Sequence, residues 1–224
     1  IAKEYAQRLV SQINRFKTTP AQQIQPGTLA DYESEATTHY SVADNQGNVV
    51  ANTYTLNFEF GSGIVVPGGG FLLNNQMDDF SAKPGTPNAY GLIGGSANAI
   101  EPQKRMLSSM SPTFVFKADK PFLITGSPGG SRIITTTAQV IMNVIDHQMN
   151  IQEAVNAIRI HHQWLPDQLA VEADLNLDTF KLLTDKGHTV VTTHTMGAAN
   201  SILIEQGHFY AAADPRTAGL ALGF

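Results

Sequence analysis

Over the first sixteen positions apolar residues recur at helical spacing. Ile1, Tyr5, Leu9, Ile13 and Phe16 are separated by Lys3, Glu4, Gln7 and Arg8. The spacing predicts an amphipathic helix whose apolar stripe needs a partner surface. The pattern then stops. Residues 17–36 carry Pro20, Pro26 and Gly27 among the polar Asp31, Glu33, Ser34 and Glu35, which reads as an exposed linker and the sharpest internal boundary of the chain. Beyond it the period falls to two. His39 to Ala43 and Val49 to Phe60 read as the arms of a hairpin joined by Asp44-Asn45-Gln46-Gly47-Asn48. Alternation puts Thr37, His39 and Ser41 on one face. On the second arm it assigns Tyr54, Leu56, Phe58 and Phe60 to a core and Thr53, Thr55, Asn57 and Glu59 to the opposite side. Such a polar row is ordinarily a solvated sheet face; beside Thr37 it can also line a site.

Farther on, Gly61 to Gly70 is glycine-rich, and residues 71–80 are dense in amides and carboxylates. The stretch 81–104, with Pro84, Gly85, Pro87, Gly91, Gly94 and Gly95, reads as a loop long enough to serve as a lid. Strands are expected near 113–118 and 121–125, then the turn Gly126-Ser127-Pro128-Gly129-Gly130. Ser131 is placed to cap a helix over 132–149, and a second helix follows at 151–158. Residues 159–167 look irregular. A strand near 168–172, a helix near 177–186, a strand near 188–194 and a hairpin near 201–213 complete the order. Two β-rich segments thus flank a central helix pair. This order suits an α+β fold with a layered αββα stack, two mainly antiparallel sheets packed face to face between helices.

Composition narrows the function classes. Of 224 residues 42% are hydrophobic, enough for a packed core. The net charge is −5 from 14 basic and 19 acidic residues, and no basic cluster stands out, so a nucleic-acid partner is not expected. Absence of cysteine removes disulfides, thiolate metal sites and a cysteine nucleophile. No apolar run approaches the roughly 20 residues of a membrane span. No signal peptide is visible, and a start at Ile1 reads as a processed or truncated one.

The candidate chemistry begins at Thr37. Inside a chain it is an alcohol between two amides. If the Ala36–Thr37 bond is cut, it gains an α-amino group titrating near pH 8 (roughly 7.7–8.0), a base within reach of its own hydroxyl. The Gly126 to Gly130 turn leads from a strand into a helix. Its Gly129 and Gly130 N–H groups suit an oxyanion hole or merely a tight connection; a serine-nucleophile turn fits less well, because the spacing is not Gly-x-Ser-x-Gly and Pro128 removes an N–H. Asn74, Asn75, Gln76, Asp78 and Asp79 can grip a charged amino group or stand as solvated loop groups; if extended, Asp78 and Asp79 point apart. His161 and His162 are adjacent without a metal-ligand spacing and read as structural or interfacial, Trp164 as a packing anchor. Arg105 and Arg132 can meet a carboxylate or neutralise neighbouring acids.

Taken together, several runs resemble the γ-glutamyltranspeptidase family of N-terminal nucleophile hydrolases, in its bacterial form. They are Thr37-Thr38-His39-Tyr40-Ser41-Val42, Thr53-Tyr54-Thr55-Leu56-Asn57, Leu72 to Ser81, Leu107 to Pro112, Gly126 to Arg132, and His161 to Pro166. The resemblance implies a precursor that cuts itself between Ala36 and Thr37. Residues 1–36 are then the tail of a large subunit, and residues 37–224 the small, catalytic one. The implied fold is the αββα sandwich, partial without the large subunit, which is the expected partner and whose carboxylate-clamping arginine has no counterpart here. Thr37 is the implied nucleophile, with Thr55 positioning its hydroxyl and Gly129 and Gly130 as oxyanion donors. Asn57, Gln76 and Asp79 match positions that hold a substrate α-amino group, Ser108 and Ser109 those that hold its α-carboxylate, and Tyr90 the gate of a lid over 84–95. The implied substrates are small γ-glutamyl compounds such as glutathione, with transfer to water, amino acids or peptides. No cofactor or metal is implied, and the setting is periplasmic or secreted. A cephalosporin or glutaryl acylase of the same fold, or an unprocessed non-catalytic precursor piece, are the alternatives.

Overall fold

The computed structural model describes residues 37–86 and 92–224, with 13–20 and the isolated positions 3, 7, 10, 11 and 23. Lys3, Gln7, Val10 and Ser11 are helical, but the helix has ended by Ile13, short of the expected residue 16. Val10, Ile13 and Phe16 are exposed, so their stripe is unburied here. Most of the linker, and the boundary at residue 36, lie outside the described residues.

The first sheet is the hairpin β1 (Thr37–Ala43) and β2 (Val49–Thr55), antiparallel, with Thr37 opposite Thr55 and His39 opposite Thr53. Asp44 accepts from the N–H groups of Gln46 and Asn48 and closes the turn. The second arm is shorter than its alternation predicted. It stops at Thr55, because Asn57 takes a left-handed φ of 75°, a conformation that asparagine tolerates better than most residues. The faces are also inverted. The polar row His39, Thr53 and Asn57 is turned inward, whereas Tyr40, Val42, Val50, Tyr54 and Phe60 are exposed.

The second sheet has the order β3 (Thr113–Lys117), β4 (Lys120–Thr125), β8 (Ser201–Glu205), β9 (His208–Ala212), all antiparallel. Ala118 and Asp119, both at positive φ, make the two-residue turn of the β3–β4 hairpin. A third sheet joins β5 (Ile160–His161), β6 (Leu169–Glu172) and β7 (Val190–Thr193); β6 and β7 run parallel, so the antiparallel expectation fails at this one pair. The crossover between them carries helix α3 (Leu177–Asp185), capped by Asn176.

Helices α1 (Arg132–Ile145) and α2 (Ile151–Asn156) cover one side of the second sheet. Both end earlier than periodicity suggested, and α2 opens on a reciprocal capping box between Asn150 and Glu153. The core is built from Leu123 and Leu203 on the sheet, Val140 and Val144 on α1, and Ile151, Ala154 and Val155 on α2. The hairpin β1–β2 meets β4 and β8, and Leu123 and Ile124, neighbours on β4, are both wholly buried. A strand covered on both faces is continuous in hydrophobicity rather than alternating, as Pro121-Phe122-Leu123-Ile124 is. Among the described residues no helix is long and apolar enough to cross a membrane.

Candidate active site

Thr37 opens β1 at the rim of a cleft of about 390 Å³. Register pairing places Thr55 across from it, and the Thr37 hydroxyl donates to Thr55 Oγ1 at 3.0 Å. The Asn57 N–H also donates to Thr55 Oγ1, at 2.9 Å, which is how the strand end is turned into the left-handed bend. Asn57 is buried, and its amide reaches Asn75 O at 3.4 Å; Asn75 Oδ1 in turn accepts the Phe58 N–H at 2.9 Å. These bonds join the end of β2 to the 3-10 turn Gln76–Asp79. Because that segment is helical rather than extended, the expectation that Asp78 and Asp79 point to opposite sides of a strand does not apply.

Gln76, Asp79, Ser108, Ser109 and Gly130 line the same cleft as Thr37, Thr55 and Asn57. Burial, and secondarily the neighbouring charge of Asp78, push the Asp79 carboxyl up to about 6. Asn98 donates to the Asp79 carbonyl at 2.7 Å and accepts the Leu107 N–H at 3.0 Å, tying the acidic turn to the Ser108–Ser109 segment. Gly129 is buried just behind Gly130 and does not line the cleft. Its φ of 129° would strain a side chain, and an added Cβ would come within 3.3 Å of Gly197 Cα. Tyr90 and Ala36 lie outside the described residues.

The turn's serine is no nucleophile. Ser127 is wholly buried; its hydroxyl donates to Pro128 O at 2.7 Å and accepts the Ala198 N–H at 2.9 Å. Beneath the turn lies His39, buried, with Nδ1 2.9 Å from Thr53 Oγ1 and Nε2 3.2 Å from Ser41 Oγ. Ser41 donates to Asn200 O at 2.8 Å, so it accepts from Nε2–H, and Nδ1 accepts from Thr53. Burial holds the imidazole down to about 4, neutral at physiological pH.

The cleft has a second wall that the sequence reading passed over. Ser131, Thr135, His161, His162 and Gln163 all line it, although His161 and His162 had read as structural or interfacial and Ser131 as a helix cap. Ser131 makes no side-chain cap bond; its hydroxyl donates instead to Gln163 Oε1 at 2.6 Å. A second network, equally unforeseen, lies deeper. Arg159, 2% exposed, donates to Asp214 Oδ2 at 2.6 Å and to Met196 O at 2.6 Å, while Arg216 grips both oxygens of Glu172. Burial alone pushes Glu172 up, but the Arg216 contact and the Arg159 and Met196 N–H donors outweigh it and hold the carboxyl below its usual range. Arg159 and Glu172 flank β5 and end β6, so this ion network anchors the sheet that carries the second wall. Among the described residues no group of three or more acids and histidines is placed to hold a metal ion.

Comparison with known proteins bears on this geometry. A profile described as gamma-glutamyltranspeptidase matches residues 1–224. The chain is 58% identical over 216 residues to the glutathione hydrolase proenzyme of Escherichia coli, covering 96% of this chain and 37% of that protein. It superposes on a crystal structure of a mutant Helicobacter pylori gamma-glutamyltranspeptidase with a TM-score of 0.78 and 58% identity, covering 80% of this chain and 100% of that one. A cephalosporin acylase from Bacillus halodurans also superposes, with a TM-score of 0.78 at 28% identity, over 96% of this chain and 37% of that one. The chain thus spans less than half the length of the curated relatives it matches. Matched along its whole length and at this identity, the chain belongs to the gamma-glutamyltranspeptidase family.

Proposed function

We propose that this chain supplies the nucleophile and most of the donor site of an enzyme that transfers γ-glutamyl groups to water, amino acids or peptides, with glutathione-like compounds as donors. The reading is carried by one observation: Thr37, hydrogen-bonded to Thr55, shares a single cleft with Asn57, Gln76, Asp79, Ser108, Ser109 and Gly130. The names of the bacterial relatives support the same chemistry, and their designation as proenzymes supports cleavage between Ala36 and Thr37.

In this scheme residues 37–224 form the small subunit and residues 1–36 the tail of a large one, which completes the site. The free Thr37 amine takes the hydroxyl proton as Oγ1 attacks the γ-carbonyl. The Gly130 N–H, which lines the cleft, and the Gly129 N–H behind it are the oxyanion donors of this scheme. The ammonium returns its proton to the leaving amine, and an ester of Thr37 remains. Water or an acceptor amine, deprotonated by the same amine, then attacks the ester, and Oγ1 leaves with a proton. Asp79 and the amides of Asn57 and Gln76 face the donor's ammonium, and Ser108 and Ser109 its carboxylate. Tyr90 would gate the cleft from the 84–95 loop. The scheme needs no cofactor. A periplasmic or secreted setting fits the bacterial relatives.

The likeness to a cephalosporin acylase favours a second reading, in which the acyl group lacks an amino function. Asp79 opposes it, since that carboxylate would then meet no cation. The test is the complete precursor, assayed with a γ-glutamyl anilide beside a glutaryl anilide after intact-mass analysis. A fragment starting at Thr37 and faster γ-glutamyl cleavage are expected. Faster glutaryl cleavage would overturn the reading, and an uncut Ala36–Thr37 bond would favour a non-catalytic precursor piece.

A further inference from the structure

Helix α1 is stitched to the 160–163 segment along one of its faces. Ser131, Thr135 and Gln139 are spaced four residues apart and therefore stand in one row. Gln139 clamps Ile160 by accepting its N–H at 2.9 Å and donating to its carbonyl at 2.8 Å. Thr135 Oγ1 lies 2.8 Å from His161 Nδ1, and Ser131 donates to Gln163 Oε1 at 2.6 Å. The row runs toward the helix N-terminus as the segment runs toward its C-terminus. It ends beside Gly130, the residue before Ser131.

Gln163 is the point at which this row converges. Gln163 Oε1 accepts from both Ser131 and His161 Nε2, at 2.6 and 3.0 Å, while its amide nitrogen donates to Leu165 O at 3.3 Å. His161 Nε2 thus carries hydrogen. The Thr135 hydroxyl lies 2.8 Å from Nδ1 and donates to the Arg132 carbonyl at 3.1 Å. Burial, the largest influence on this ring, favours its neutral form. Ser131 itself has helical φ and ψ of −62° and −25°, so its side chain is not placed to cap the first turn. Its hydroxyl is committed sideways, to Gln163 in the loop that follows β5.

We propose that Gln163, oriented by His161, is a positioning residue that acts through Ser131 to fix the Gly129–Gly130 turn. The inference rests on the reading of those glycines as oxyanion donors. The Gly130 N–H shares its peptide plane with the Gly129 carbonyl, which accepts the Arg132 N–H at 2.9 Å, so its direction follows the opening turn of α1, where Ser131 lies. Hydrogen-bond donors to an oxyanion act by being aimed before the charge appears, so a loosened turn lowers the rate of acylation more than it lowers donor binding.

The experiment uses the complete, matured enzyme and a γ-glutamyl anilide. Ser131→Ala and Gln163→Leu are each expected to lower kcat by about tenfold to hundredfold while KM stays within about threefold. Combined, they should be no worse than the more damaging single change, because both cut one connection. Ser131→Thr, which keeps the hydroxyl, should recover most of kcat. A raised KM with unchanged kcat, independent losses that multiply, or no change in kcat would each overturn the proposal. Should Gln163→Leu fail to mature, Ser131→Ala carries the test alone, since it removes only one oxygen. A wild-type enzyme inactive on the anilide would instead refute the functional reading itself.

Discussion

Thr37 and Thr55 are partners in the last rung of the β1–β2 ladder, and their hydroxyl oxygens lie 3.0 Å apart. A contact set by strand register, rather than by a flexible loop, holds the Thr37 oxygen in one place before any substrate arrives. Thr55→Val keeps the shape and β-branching but removes the oxygen. It is expected to lower both self-cleavage and anilide turnover by about a hundredfold, whereas Thr55→Ser should retain most of each. Mass spectrometry over time and steady-state kinetics read the two effects; an unimpaired valine variant would mean that the contact positions nothing.

Asp79 is ionised at a cost to stability. Its carboxyl titrates near 6 in the folded protein, above the ordinary 3.8. Between these values the folded chain holds a proton that the unfolded chain has lost, so this group's contribution to stability falls as pH rises toward 6 and stays low above it. Asp79→Asn should therefore raise the unfolding free energy at pH 7.5 by about 1 kcal/mol, allowing for solvent screening of a half-buried group, and should not raise it at pH 3.5. The same variant should lose about a hundredfold or more in kcat/KM for an amino-bearing donor. In the wild type, kcat/KM should drop as pH falls through about 6. A stability gain that persists at pH 3.5 would exclude the ionised carboxylate as its cause.

Gly126 is a spacer for a buried ring. A methyl group added there would come within 2.4 Å of His39 Cε1. Because His39 lies under the turn and cannot swing into solvent, Gly126→Ala should destabilise by about 3 kcal/mol. Gly95, where a Cβ would meet nothing within 4 Å, is the control and should tolerate alanine with little change. Thermal unfolding of the two variants compares them directly; equal effects would show that the ring yields.

Asp214 is the shared acceptor of Arg159, at 2.6 Å, and of the Ala199 N–H, at 2.7 Å. Removing its charge strands a guanidinium that is 2% exposed. Asp214→Asn should cost about 3–5 kcal/mol in urea unfolding. The exposed pair of Lys181 and Asp185 should show no measurable loss when broken. Similar losses from the two pairs would contradict the burial argument.

Much of this architecture was legible because it rests on period and punctuation. Val140 and Val144 on α1, the continuous run through Leu123 and Ile124, and the Asp44–Asn48 turn each declare themselves locally. The cleft residues Thr37, Thr55, Asn57, Gln76, Asp79, Ser108, Ser109 and Gly130 were picked out by motif and fall together in space. One stretch was misread and two features were passed over, each for a physical reason. Alternation over Tyr54, Leu56, Phe58 and Phe60 imitates a strand with an inward apolar face. A single left-handed Asn57 ends the strand, and the inward face belongs to the polar row. Ser131, Thr135 and Gln139 resemble the solvated face of a helix, because nothing local says that another segment is laid along it. Arg159 and Arg216 resemble surface charges, because their partners Asp214 and Glu172 are separated from them in sequence or shared between them.

Protein chain ends are commonly the least ordered part of a fold. Under the proposed cleavage the ladder would make Thr37 an exception. Its backbone is already paired across the hairpin, so an amino terminus created there would begin life as a fixed point of the scaffold. The loose end would belong to the departing segment. In the proposed scheme a nucleophile created in this way would have nothing to search for: the bond that is cut and the catalytic centre would share one address.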